Sequence, residues 1–233
     1  FDEGVWLIKH APVHELAVLA HAVRNRKMEA AGRAELVTYV ISRNINYTNV
    51  CITDCDFCSF YRHPLEDGAY SLNLDELREK AQETLDLGGT EILLQGGHNP
   101  KLPLKYYQDM LGQFESMGLH NHAFSPSEIQ HFARFWKMSL PDVLVELKHA
   151  GLKSIPGGGA EILVDRVREI ICPKKGGADD WLEPMREAHK LGIRSSATMM
   201  FGHVETLSER IEHLERLRTL QDETGGFTAF ICW

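Results

Sequence analysis

Six short apolar or β-branched runs, each separated from the next by a longer stretch, restrict the fold of this chain more than any other feature. They lie at residues 36–42, 91–95, 119–124, 153–155, 194–200 and 229–233. Between them, helical patterning predicts helices over 75–87 (opened by Asn73 or Asp75 as cap), 103–117, 162–171, 181–191 and 207–221. Residues 126–150 hold one or two more, with Pro141 as break or restart. Parallel strands joined through helices coil right-handedly. Six such units make about three quarters of an eight-fold barrel. The predicted class is α/β: a partial (β/α)6 TIM-like barrel over residues 35–233.

An N-terminal helical cap precedes it over residues 1–34. Val5, Leu7, Ile8, Leu16, Leu19, Ala20 and Val23 recur at helical spacing, Pro12 opens a second helix in its first turn, and Gly32 ends it. The chain starts at Phe1 rather than Met and closes on the apolar run 227–233, read as a buried strand. A strand of that kind needs a cover, so a C-terminal part is expected beyond it.

Composition removes several classes. A formal net charge of −8 argues against a nucleic-acid surface, which needs a clustered positive field. No apolar run approaches the roughly 18–20 residues that span a bilayer, and no signal or lipidation motif is visible. Five cysteines, an odd number, fit a reducing cytosol better than a disulfide framework.

The chemistry concentrates where the first run ends. Cys51, Cys55 and Cys58 stand in a Cys-x3-Cys-x2-Cys triplet, at the carboxyl end of a strand, where α/β barrels place their active groups. Three thiolates on a short loop hold three corners of a 4Fe-4S cube and leave one iron for a non-protein ligand. Structural zinc is the competing reading, but it wants a second cysteine pair, and none lies nearby. Cys172 and Cys232 are far downstream and read as buried apolar thiols. A non-catalytic zinc or iron–sulfur carrier module would use the same triplet.

The triplet, with Phe57 just before its third cysteine, resembles the signature of the radical S-adenosylmethionine superfamily. The runs 43–50, 94–100 (Leu94-Gln95-Gly96-Gly97-His98-Asn99-Pro100), 122–126 and 155–161, in this order, resemble its menaquinone and deazaflavin branch. That resemblance covers the chain from about Glu35 onward. It implies a 4Fe-4S cluster and S-adenosylmethionine as cofactors, an external one-electron donor, and a small nucleoside-derived substrate. The implied reaction is ring closure through a 5′-deoxyadenosyl radical in menaquinone biosynthesis by the futalosine route. The sibling reactions are adenosyl addition to an acceptor and the joining of tyrosine to a pyrimidine.

The resemblance also distributes roles. Gln95, Gly96 and Gly97 contact the cofactor's amino group through backbone carbonyls, although His98 stands where the family often has an acid; a plain strand-to-helix turn is the simpler reading. Ser125 bonds the cofactor's carboxylate or ribose, or only caps the helix after Pro126. Gly157-Gly158-Gly159 leaves amides free for a ligand. Glu161 holds ribose hydroxyls or takes a proton, or is a first-turn carboxylate. Residues 198–203 pack on adenine, with Gly202 allowing close approach, or simply belong to the core. His203, with Glu205, is a candidate acid or base. Arg62 offers a planar cation to a substrate carboxylate.

Overall fold

A computed structural model describes all residues, 1–233. Six strands form one parallel sheet in the order β1 to β6: β1 (Ser42–Asn46), β2 (Glu91–Gln95), β3 (His120–Ala123), β4 (Ser154–Ile155), β5 (Arg194–Met199) and β6 (Phe227–Cys232). Helices α3 (Leu74–Asp86), α4 (Leu104–Ser116), α5 (Pro126–Trp136), α6 (Leu140–His149), α7 (Asp165–Ile171), α8 (Ala178–Lys190) and α9 (Leu207–Thr224) carry the crossovers. Strand order equal to chain order, with every pair parallel, is the topology of a partial barrel.

The core lies between sheet and helices. Ile45, Ile92, Leu94, Ala123 and Ile155 point outward from the strands and meet Leu77, Leu111, Phe132, Leu147 and Met185 of the helical layer. Strand alternation therefore sends the intervening residues to the barrel interior. Local chemistry fixes the helix starts. Asn73 caps α3 in a reciprocal pair with Glu76, Ser125 caps α5 with Glu128, and Thr206 caps α9 with Glu209.

Several expectations are corrected. The run at residues 36–41 is exposed and belongs to no strand, with the Ile41 carbonyl accepting from the Thr90 amide, and β1 begins only at Ser42. β-Branched composition expresses fitness for a pleated, half-buried surface, while pairing with β2 decides where the strand lies. The last run is not buried: β6 is an edge strand with Phe230, Ile231 and Cys232 exposed. The break after α5 falls at Lys137, whose φ of 55° is left-handed, while the restart at Pro141 is as expected, in the first turn of α6. Helix α7 begins at Asp165, because Ile162 and Leu163 are spent in the core first. Pro12 is the N-cap of α2 (Val13–Ala30), not a first-turn residue. Of the N-terminal pair, α1 (Asp2–His10) packs on α9, with Gly4 against Ile211, whereas α2 buries no residue.

Candidate functional site

The carboxyl ends of β1, β2 and β3 build one rim. Tyr47, just past β1, donates its hydroxyl to Glu128 at 2.6 Å. The same carboxylate accepts from the Gly96 amide at 3.0 Å and from the Ser125 amide and hydroxyl, each at 2.7 Å. Four donors converge on one wholly enclosed carboxylate. Burial pushes the Glu128 carboxyl up, and these hydrogen bonds oppose that shift. Gly96 is obligatory here, since a Cβ would lie 2.5 Å from the Tyr47 ring.

The next residue brings the cysteine loop against β2. A Cβ on Gly97 would stand 2.3 Å from the Val50 carbonyl oxygen and 2.9 Å from Cys51 Cβ. The His98 amide then donates to Cys51 Sγ at 3.3 Å, and Thr53 Oγ1 lies 2.9 Å from the same sulfur. Amide-to-sulfur bonds of this kind raise the potential of a bound iron–sulfur centre. The His98 ring stacks on His131 with centroids 5.0 Å apart, and burial beside that ring depresses its pKa.

Cys51, Cys55 and Cys58 are all unbridged and line one cavity of about 190 Å³, together with Phe57, Gln95, Gly96, Gly97, Ser125 and Glu128. A second cavity of about 400 Å³ adjoins it, and Thr53, His98, Ser127 and Lys175 border both. No three His, Cys, Asp or Glu side chains gather closely enough for a single metal ion. A cubane instead takes one cysteine on each of three separate irons. The donor set, three free thiols on one loop above a recess, fits that cluster.

Lys175 was not legible as a site residue. It follows α7 in a short 3-10 turn, Pro173–Lys175. Its ammonium pairs with Glu161 Oε1 at 2.8 Å and lies 5.2 Å from the Phe57 ring centroid. Burial works against the ammonium, but the Glu161 carboxylate outweighs it and raises the lysine pKa. Burial pushes the Cys55 thiol up, and the Lys175 charge opposes that. A neighbouring Lys174–Asp54 pair at 2.8 Å and an Asp56 amide bond to the Ile171 carbonyl tie the cysteine loop to α7.

The remaining candidates lie elsewhere. Glu161 is buried behind Lys175, at a left-handed φ of 44°, with Oε2 unpartnered. Arg62 does not line the recess: its side chain bonds the Tyr61 carbonyl and faces Glu66, while its backbone pairs with Cys51 and Asn49. Gly202 and His203 are also outside it, in a turn where Glu205 accepts both amides and pairs with Arg210. The glycine run is less free than its composition implies, because the Gly157 amide donates to Ser196 Oγ at 3.0 Å. Ser125 caps α5 and also lines the recess. Cys172 is buried as expected, whereas Cys232 is exposed.

A parallel six-stranded barrel whose cysteine triplet follows the first strand is the architecture of one enzyme class. The Radical SAM superfamily model matches residues 45–217, and the chain belongs to that superfamily. Its cofactors are a 4Fe-4S cluster and S-adenosylmethionine, which together supply a 5′-deoxyadenosyl radical when bound. Among curated relatives, a cyclic dehypoxanthine futalosine synthase of Streptomyces coelicolor is 44% identical over 99% of this chain and 58% of its own length. An aminodeoxyfutalosine synthase of Thermus thermophilus is 42% identical over 99% of the chain and 61% of its length. A 5-amino-6-(D-ribitylamino)uracil–L-tyrosine 4-hydroxyphenyl transferase of Methanopyrus kandleri is 45% identical over 88% and 58% respectively. The chain thus spans about three fifths of the length of these relatives. Among solved structures, the FeFe-hydrogenase maturase HydG has the same fold at a TM-score of 0.66, 19% identical over 83% of this chain and 43% of its own. Methylornithine synthase (PylB) follows at 0.63, 16% identical over 78% and 51%.

Proposed function

We propose that this chain is the catalytic barrel of a cyclase that converts dehypoxanthine futalosine to its cyclic form in menaquinone biosynthesis. The observation that carries the reading is the 44% identity to such an enzyme along essentially the whole chain, with the triplet and the Gln95–His98 run both facing one recess. Three protein sulfurs would hold the cluster, with Cys51, Cys55 and Cys58 as ligands. Gln95, Gly96, Gly97, Ser125 and Phe57 would seat the sulfonium cofactor. The substrate, a small nucleoside-derived molecule, would lose a ribose hydrogen, and the sugar radical would attack its own benzoate ring. Enclosing one folded conformer gives much of the acceleration in such an intramolecular closure. The electron would come from an external one-electron donor. No helix is long and apolar enough to cross a membrane, in keeping with a cytoplasmic site.

Aminodeoxyfutalosine synthesis and tyrosine transfer are the competing reactions, because their relatives are equally similar. The run Gln95-Gly96-Gly97-His98-Asn99-Pro100 favours cyclisation, by resemblance. The test is anaerobic incubation of the intact, cluster-loaded protein with reductant, S-adenosylmethionine and each of the three substrates. Cyclic product with matching 5′-deoxyadenosine from dehypoxanthine futalosine alone supports the cyclase. Turnover of another substrate in its place overturns it.

A further inference from the structure

Two histidines share one serine inside the barrel. On β3, Asn121 points outward and donates to the Leu111 and Gly151 carbonyls, so its neighbours His120 and His122 face the interior. Ser154, the register partner of His122 on β4, places its hydroxyl 2.7 Å from His122 Nδ1 and 2.7 Å from His120 Nε2. A hydroxyl owns one proton, so it donates to one ring and accepts from the other. With the proton of His122 on Nδ1, the order runs His122 to Ser154 to His120. His122 Nε2 then carries a free lone pair.

The position of this chain is as informative as its geometry. His122 is level with Leu93 on β2, and Gln95, two residues further along, borders the cysteine recess. At about 3.3 Å per residue, His122 sits about 7 Å beneath the recess floor. His120 lies one pleat deeper and is exposed, level with Glu91. Burial, with the His120 ring next in effect, depresses His122 to a pKa of about 4, so it stands neutral and able to accept. A proton arriving there passes on rather than resting.

We propose that the His122–Ser154–His120 chain accepts the ring proton that the substrate sheds when aromaticity is restored, and conducts it away from the recess. This rests on the cyclase reading. The C–H bond at the attacked ring carbon breaks heterolytically, and its electron pair enters the ring. The step requires the ring to seat below the recess floor, within hydrogen-bond reach of His122 Nε2; the proton goes there, the Nδ1 proton moves to Ser154 Oγ, and the serine's own proton moves to His120 Nε2. The surplus single electron leaves to an external one-electron acceptor.

The experiment compares wild type, His122→Asn and Ser154→Ala in the intact, cluster-loaded protein. Asparagine keeps a donor toward Ser154 but has no basic nitrogen. Iron content and far-ultraviolet dichroism check that each variant is folded. His122→Asn should still release 5′-deoxyadenosine, while cyclic product per deoxyadenosine falls on the order of a hundredfold. An organic radical should accumulate in the electron paramagnetic resonance spectrum, and added imidazole should restore product. Ser154→Ala should lose less and also respond to imidazole. If wild type cyclises and both variants keep its product ratio, this assignment is overturned alone. If wild type makes no cyclic product, the cyclase reading fails and takes the assignment with it.

Discussion

Lys175 Nζ lies 2.8 Å from Glu161 Oε1, with the lysine side chain 14% and the glutamate side chain 1% exposed. The pair joins the turn after α7 to the segment after β4, directly beside Phe57 and Cys55. Removing one member of a buried pair strands the other charge, at a cost of about 3–5 kcal/mol. Lys175→Met should therefore lower unfolding stability by that order in denaturant titrations. The double variant Lys175→Met/Glu161→Leu should recover most of it. A double-variant loss equal to the sum of the two single losses would show that the two charges are not coupled.

Gly97 and Gly202 predict opposite outcomes for the same substitution. Alanine at Gly97 meets the Val50 carbonyl at 2.3 Å, so the cysteine loop must move. Iron per chain and absorbance near 400 nm should fall sharply in Gly97→Ala, with far-ultraviolet dichroism retained. Alanine at Gly202 meets nothing within 4 Å but inherits a φ of 96°. Gly202→Ala should cost about 1–3 kcal/mol of stability and leave iron content unchanged.

Glu128→Gln replaces one acceptor oxygen by a donor amide. Both Glu128 oxygens face donors: Oε1 the Tyr47 hydroxyl and Gly96 amide, Oε2 the Ser125 amide and hydroxyl. At least one buried donor must lose its partner, at about 1–3 kcal/mol. Thermal unfolding should show the loss, and Glu128→Gln with Ser125→Ala should fall short of the sum, since the pair shares one network.

Cys51, Cys55 and Cys58 each changed to serine should abolish the absorbance near 400 nm and most bound iron. Cys172→Ala and Cys232→Ser should not. Retention of iron by any triplet variant, measured by colorimetric iron assay, contradicts the assignment of that cysteine.

Acid should weaken the fold between about pH 6.5 and 4. Burial lowers His213 and His189, like His122, to about 4. The unfolded chain then binds more protons than the folded one in that window, so stability is full above it and declines as pH falls. His213 adds a direct cause, because its Nδ1 accepts the Leu163 amide at 2.9 Å and protonation breaks that bond. His213→Asn keeps an acceptor without titrating. Urea midpoints followed against pH should show a shallower acid limb in this variant.

The alternation of strand and helix was legible because each strand's outward face is a continuous part of the core, as with Ile92 and Leu94 on β2. The cysteine recess was legible because its three cysteines are local in sequence. Lys175 was not, since a lysine beside a glycine turn reads as a solvated loop until folding places α7 against the cysteine loop. Glu128 was not singled out, because its bonds to Tyr47 and Gly96 arise only from strand order. His120 and His122 were not singled out either, because their meeting on Ser154 depends on the register of β3 with β4. Arg62, Gly202 and His203 lie away from the recess, where local contacts with Tyr61, Glu66 and Glu205 hold them.

A single carboxylate clamping the tips of β1, β2 and β3 makes the entrance of this barrel one stiff plate. Those three tips cannot drift apart to admit a differently shaped guest. New specificities among proteins built this way would therefore have to arise from the inward-facing wall below the plate, where side chains can be exchanged without unfastening it.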